Sequence, residues 1–437
     1  MLDERYQLDS PAHTVWLSAE SDRLVAFASA AVNPSGGFSW LDSNGLPDAA
    51  RPLPLYAVAR MVHCFSVEHL LGRPDAARIA AHGVSELAGP LADREYGGFF
   101  ASRPPTTETA DSGGASRKEA YGHAFALLAG VSGTRAAIGG ADDVMNRART
   151  ALDHRFWEPR FGASRESFDR DFARCEDYRG QNSNMHLAEA YLAAYDLTRD
   201  EEFVDRAQLI AERVVRDAGG SHGWRVPEHF TADWTVDPEY NGDRPDDPFR
   251  PYGSLVGHSL EWARLLLQLR AVRPTVQWTL AAAEALFARA IADGWDTRIG
   301  GFLYSVDDHG RAVNRSRMHW AAAEAVGAAL WLYRATGDPQ YRDWYAEFWK
   351  WIDDHLVDRV GGSWWHELDE RGRPSSTTWD GKPDLYHAWQ ATLYARVEGT
   401  LGIGEAASRG RIAVAQPDRQ NPTKPPITIK GLPPHAP

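Results

Sequence analysis

Three stretches of the chain open with a histidine followed, three residues later, by a carboxylate or an amide: His186-Leu-Ala-Glu189, His258-Ser-Leu-Glu261 and His387-Ala-Trp389-Gln390. An imidazole titrates at about pH 6.5, so it can take and give protons near neutrality. A spacing of three places both side chains on one face of a helix. One such pair carries little information, but three in register point to a shared centre for acid–base chemistry. The segment around His258 is the most telling. Arg250-Pro-Tyr-Gly-Ser-Leu-Val-Gly delivers it to a helix mouth, and the apolar run Leu265 to Leu269 anchors that helix in a core.

The elements that would position these residues are helical and repeated. Apolar spacing predicts helices near 13–31, 52–71, 75–89, 117–131, 141–156, 183–198, 201–217, 255–271, 275–293, 317–336, 339–356 and 385–399. Glycine-led aromatic segments punctuate them, including Gly36-Gly-Phe-Ser-Trp, Gly97-Gly-Phe-Phe, His222-Gly-Trp-Arg, Gly300-Gly-Phe-Leu-Tyr and Gly361-Gly-Ser-Trp-Trp. Most are about sixty residues apart, with a longer gap before Gly300. Asp338-Pro339 reads as an N-cap with a first-turn proline, and Gly337 as the stop of the preceding helix. Each unit reads as helix, short turn, helix, then a glycine–aromatic hairpin, with hairpins turning at Gly310 and Gly372. Twelve helices in six pairs suit an all-α (α/α)6 barrel, a toroid with short β-hairpins in its connections. An open solenoid would need atypical end units. Residues 1–403 are expected to form this single domain. The stretch 404–437, with seven prolines and no apolar period, is expected to be a disordered tail. The connection 218–254 holds Trp224, His229, Trp234 and Tyr240 and is expected to cover the mouth.

Composition narrows the chemistry. A net charge of −13 argues against nucleic acid and anionic membranes as partners. Two cysteines, Cys64 and Cys175, supply neither a disulfide framework nor a Cys-x-x-Cys metal site. The N-terminal residues lack a signal-peptide pattern, and no run approaches the roughly 18 apolar residues of a membrane helix, so a cytoplasmic protein is expected. Seventeen tryptophans, with 15 tyrosines and 16 phenylalanines, are enough to wall a carbohydrate pocket as well as fill a core.

If the second helix of each pair lines the cavity, its first turn presents Tyr56 and Arg60, Tyr121, Asn182 and His186, His258 and Glu261, Trp320 and Glu324, and His387 with Trp389. Aromatic faces stack on sugar CH surfaces, while Arg, Asn, Glu and His bond hydroxyls. The plainer readings are caps and core: His63, His69, His82, His123, His154, His229 and His319 are taken as structural, and Trp320 and Trp389 are core as often as wall. Arg60 in an apolar helix needs a partner or a ligand. His-x-x-Glu spacing also suits metal ligation, but there is no His-Glu-x-x-His motif, no phosphate-binding loop and no Gly-x-Ser-x-Gly elbow.

Taken together, four segments resemble the N-acylglucosamine 2-epimerase superfamily over roughly residues 10–400. They are Arg250-Pro-Tyr-Gly-Ser-Leu-Val-Gly-His258-Ser-Leu-Glu261-Trp, Asn182-Ser-Asn-Met-His186, Met318-His-Trp320-Ala-Ala-Ala-Glu324 and Gly381-Lys-Pro-Asp-Leu-Tyr-His387-Ala-Trp389. The aldose–ketose isomerase branch is the most similar. The resemblance implies an (α/α)6 barrel enzyme acting on a monosaccharide, with His258 and His387 as the acid–base pair. It makes Arg60, Tyr121, Asn182, His186, Glu261, Trp320, Glu324 and Trp389 the substrate shell. Mannose to fructose is the leading reaction, with lyxose to xylulose beside it, and a place in carbohydrate metabolism follows. One histidine would carry the proton from C2 to C1 through a cis-enediol, and the other would open the ring. No metal, nicotinamide or other cofactor is needed, and a monomer or homodimer suffices. A sugar 2-epimerase is the nearest alternative. An (α/α)6 glycoside hydrolase would need two opposed carboxylates about 5–10 Å apart, for which Glu261 and Glu324 are available. A non-catalytic sugar-binding toroid would leave the histidines unexplained.

Overall fold

The periodicity becomes two layers of helices. The computed structural model describes residues 3–103, 114–399 and 402–414. Its long helices are α1 (Pro11–Ala28), α2 (Leu55–Leu70), α3 (Ala76–Ala88), α4 (Ala120–Arg135), α5 (Ala141–Ala151) and α6 (Gln181–Thr198). There follow α7 (Glu201–Ala211), α8 (Val256–Val272), α9 (Trp278–Gly294), α10 (His319–Thr336), α11 (Pro339–Trp351) and α12 (Tyr386–Tyr394). The even-numbered helices pack each on the next, and α12 returns to α2, closing an inner ring. The odd-numbered ones lie outside it. Burial separates the layers: α2 is buried without a break from Leu55 to Glu68, whereas α3 buries one stripe through Ile79, Gly83 and Leu87. Counted from Pro11, the second helix of each pair is therefore the inner one. The short turns, however, follow each inner helix, and the glycine–aromatic segments lead from outer helices to the next inner ones. Helix α1 packs against α12, so the first helix completes the outer layer of the last pair.

Helix ends are specified locally. Asp338 accepts the N–H of Gln340 before Pro339 of α11, Asp200 accepts that of Glu202, and Gly337 closes α10 at φ 71°. The inner helices start differently. Five of them emerge from a strand of two or three residues paired antiparallel with the connection after the following outer helix: 53–54 with 102–103, 118–119 with 167–168, 178–180 with 229–231, 254–255 with 305–306, and 317–318 with 367–368. The first helical N–H of each, otherwise an orphan donor, is given to that neighbour. Leu55 donates to Ala101, Ala120 to Glu166, Gln181 to Glu228, Val256 to Tyr304 and His319 to His366, all at 2.8–3.2 Å. The sixth, α12, is capped by the Asp384 carboxylate on the N–H of Tyr386, at 3.0 Å. Every inner helix thus has its first turn pinned at one end of the ring. The expected hairpin turns at Gly310 and Gly372 are present, both at φ 77°.

The expected domain boundary falls in the wrong place. Residues 402–414 pack on the ring: a short helix, α13 (Ile403–Ser408), buries Ile403, Ala406 and Ala407 against inner helices, and Val397 bridges Ile412. Small apolar residues in only two turns gave too weak a period to register. The prolines of the expected tail, from Pro417 on, lie outside the described residues. Among the described residues no helix is long and apolar enough to cross a membrane.

Glu405 fastens α13, accepting from Arg135, from Arg199 at 3.0 Å and from Arg409 at 2.5 Å. Replacing it by alanine leaves the largely buried Arg135 without its counter-charge. Glu405→Ala is expected to lower unfolding free energy by about 3 kcal/mol, measured by urea titration.

Candidate active site

The pinned first turns of the inner helices surround one cavity. His258 stands at the mouth of α8, His387 at that of α12, and Trp320 of α10 lies between them, its ring centroid 5.0 Å from His258 and 6.0 Å from His387. Arg60, Tyr121, Asn182, His186 and Glu261 line the same space. Eight of the ten residues expected from sequence are therefore brought together. Pro248 and Phe249 of the connection 218–254 reach the cavity too, as expected of a segment covering the mouth. Phe249 packs edge-on against Tyr56 and Trp379 at 5.8 and 5.2 Å.

The other two expected residues lie elsewhere. Trp389 follows His387 by two residues, a rotation of about 200° on the helix, and so points away from the cavity. It is fully buried, and its indole donates to Glu68 at 2.8 Å. Glu324 is one turn deeper than Trp320 and touches His387, not the cavity: its Oε1 lies 2.9 Å from Nδ1.

Beneath the cavity sits a polar floor. Arg264 donates to Glu324 at 2.7 Å and to Glu189 at 3.2 Å, with Glu261 at 3.4 Å. Tyr386 adds its hydroxyl to Glu189 at 2.5 Å. His186 lies 3.5 Å from Glu189 and 3.6 Å from Glu261. The carboxylates three residues after His186 and His258 are thus not simply those histidines' partners; they point a turn deeper, into a network shared by neighbouring helices. His258 is instead met by Glu228, whose two oxygens both lie 2.9 Å from Nδ1. Arg60 donates to Tyr121 at 2.9 Å and to Asp384 at 3.2 Å, and packs 4.3 Å above the Phe125 ring.

These surroundings set the charges. Burial, then the cations and imidazoles around it, hold His387 well below the ordinary histidine range, so it is neutral at pH 7. With Nδ1–H donated to Glu324, its Nε2 lone pair is free to act as a base. Burial also lowers His186 to about 4. Burial and the nearby Glu324 raise Glu261 well above the carboxylate range, which makes it a neutral carboxyl. Glu189 resists the same burial because Arg264, His186 and Tyr386 hold it ionised.

Sequence reasoning missed several residues of the site. Asp384 lies in a segment already singled out, but an acid just before a helix reads first as a cap, which it also is. His319, expected to be structural, stacks on His366 with ring centroids 3.9 Å apart at the cavity wall. Glu228 and Trp379 lie in irregular connections where no periodicity marks an inward side chain.

Among the described residues, metal-ligand spacing is met in two buried groups, His186–Glu189–Glu261 and Glu261–Glu324–His387, whose ligand atoms lie within 4.8 Å of one another. The Arg264 guanidinium already bonds Glu189, Glu261 and Glu324, so a divalent cation there would sit beside a fixed positive charge. The donor set fits an arginine better than a metal.

Trp389→Phe removes a donor from buried Glu68 without touching the cavity. It is expected to cost about 1–3 kcal/mol of stability while leaving KM within about threefold of wild type. Stability also depends on pH through the buried imidazoles. His13, His63, His186 and His319 are each held down to about 4, chiefly by burial. The unfolded chain takes up those protons at about pH 6.5 and the folded one does not, so their contribution is complete above about 6.5 and is lost as pH falls toward 4. Burial raises Glu166 to about 7 and Asp196 to about 6, which acts in the opposite sense but on fewer groups. Urea unfolding is expected to lose at least about 2 kcal/mol between pH 7 and pH 4.5.

The chain is similar to known proteins. The sequence profile of the N-acylglucosamine 2-epimerase (GlcNAc 2-epimerase) family matches residues 36–391. The chain is 47% identical to a D-mannose isomerase of Thermobifida fusca, over 87% of this chain and 93% of that protein. It is 43% identical to a D-mannose isomerase of Pseudomonas cannabina pv. alisalensis, over 88% and 93%. A crystal structure of a D-mannose isomerase superposes with a TM-score of 0.80 at 30% identity, covering 86% of this chain and 96% of that one. The two-layer ring and these matches agree: the chain belongs to the N-acylglucosamine 2-epimerase family and has its (α/α)6 barrel fold.

Proposed function

We propose that this protein is an aldose–ketose isomerase converting D-mannose to D-fructose, with D-lyxose to D-xylulose as a related reaction. The observation that carries the reading is the pair of buried imidazoles, His258 and His387, facing one cavity on either side of Trp320. The relatives of 47% and 43% identity named D-mannose isomerase support the choice of sugar. A free hexose suits a cavity closed over by Phe249, and a free-sugar substrate goes with a cytoplasmic setting, as a monomer or homodimer. The glycosidase reading is disfavoured because Glu324 is committed to His387 and Arg264 and does not face Glu261 across the cavity.

In the proposed cycle, cyclic sugar enters with its ring edge against Trp320. His258 moves the hydroxyl proton that opens the ring. Neutral His387 then takes the C2 proton through Nε2 and returns it to C1 on the same face of a cis-enediol, while His258 takes the proton from O2 and delivers one to O1. Arg60, braced by Asp384 and Tyr121, stabilises the negative charge that builds on the carbonyl oxygen. Asn182, His186 and the neutral carboxyl of Glu261 bond the remaining hydroxyls. Glu324 acts through His387, holding its proton on Nδ1. Neither a metal nor a nicotinamide enters these steps.

The test is chromatographic. Protein exhaustively treated with EDTA is expected to convert mannose to fructose in D2O, with deuterium entering the sugar. His387→Asn and His258→Asn are each expected to lose at least ~10²-fold in rate. On open-chain substrate His258→Asn recovers part of its rate and His387→Asn does not. Near-wild-type activity in both variants would falsify the mechanism, formation of a C2 epimer without ketose would reassign the reaction, and loss of turnover restored by a divalent ion would turn the buried groups back into metal ligands.

A further inference from the structure

We infer that Glu228 is the positioning residue of His258, holding its proton on Nδ1 so that Nε2 meets the sugar as a base. This rests on the reading that His258 acts on bound sugar. Glu228 lies in an irregular connection yet is fixed at both ends. Its carbonyl accepts the first N–H of α6, that of Gln181, at 3.0 Å. Its carboxylate, 5% exposed with its residue, lies at the start of α8. There Oε1 accepts the N–H of Leu255 at 3.1 Å, and Oε2 accepts the amide of Gln181 at 2.8 Å.

Two neighbours of Nδ1, the Glu228 carboxylate and the Gln181 amide, compete to set the proton's place, and the carboxylate with its two oxygens decides it. The Trp262 indole can only donate, and it lies 2.8 Å from Gln181 Oε1. That contact orients the Gln181 amide, so its nitrogen is the atom turned toward Glu228 and His258. The amide nitrogen is also 2.7 Å from His258 Nδ1, where it would donate to an unprotonated nitrogen and crowd a protonated one, so it competes with the carboxylate for that atom. An unprotonated Nδ1 would set its lone pair against two carboxylate oxygens, each 2.9 Å away. A protonated Nδ1 satisfies them. The lone pair is then on Nε2. Support for the two histidines is thus separate: Glu324 serves His387 and is tied to Arg264, while Glu228 serves His258 and is tied to α6 through Gln181 and Trp262.

A glutamine at 228 cannot reproduce this. It offers one acceptor oxygen where three donors converge, and its amide hydrogens must face either Gln181 or His258. Full-length protein labelled with 15N at histidine decides the question, with the His258 signals assigned by their loss in His258→Asn. Wild type is expected to show His258 protonated on Nδ1 with an unprotonated Nε2. Glu228→Gln is expected to move that proton to Nε2 or to average the two forms, and to lower kcat about 10–100-fold with KM within about threefold. Glu228→Asp, which keeps the charge at shorter reach, is expected to retain more of kcat than Glu228→Gln. Protonation of wild-type His258 on Nε2 overturns the inference, and that spectrum decides it even where the glutamine variant does not fold. Full kcat in Glu228→Gln beside an inactive His258→Asn overturns the positioning role alone. Full activity in His258→Asn overturns the functional reading on which it rests.

Discussion

A single guanidinium holds the floor of the site together. Arg264 is buried among Glu189, Glu261 and Glu324, carboxyls from three successive inner helices. Three ionised carboxylates around one cation would be unstable at that depth, and the conflict is relieved by keeping Glu261 neutral while Glu189 stays charged. The remaining charges are then spent on orientation. Glu324 reaches up to His387, and Glu189 reaches Tyr386 and His186. Removing the cation would release carboxylates on α6, α8 and α10 at once and leave the imidazoles above them without fixed supports. Such networks specify one arrangement more than they add stability.

The scaffold meets that demand with very little regular sheet. Strands of two or three residues cannot stabilise a fold by themselves. Here they serve as collars: each takes the first N–H of a helix and so fixes where its first turn points. Glycine is required where the collars turn. Gly253 precedes the strand leading to His258 at φ 88°, and a Cβ there would fall 2.4 Å from the Val306 carbonyl. No residue with a side chain lets the chain pass so close and still present His258 at the mouth.

The layered ring was legible because its inner and outer helices differ in apolar period, and because caps such as Asp338-Pro339 mark their ends. The mouth residues were legible because ladder and helix join in a fixed way, so the first turn of every inner helix faces the same space. The signal failed where a residue's direction depends on rotation within that turn, as for Trp389, or on depth, as for Glu324. It failed again for Glu228, whose placement comes from pairing a distant strand to the start of α6. No spacing along the chain encodes that pairing. Small residues hid α13 for a related reason: its burial comes from what it sits on, not from its own hydrophobic weight.

The pairing of α1 with α12 has a consequence for synthesis on the ribosome. Five of the inner helices have their outer companion next in sequence, and those pairs can dock as they emerge. The sixth draws its companion from the opposite end of the chain, and the backbone N–H of Lys382 closes the circle on Leu41 at 2.8 Å. Until that late segment is translated, α1 lacks the inner helix it packs against. His387 travels on the same closing segment. The ring and the reaction centre are therefore completed in one event, and every shorter nascent chain lacks both.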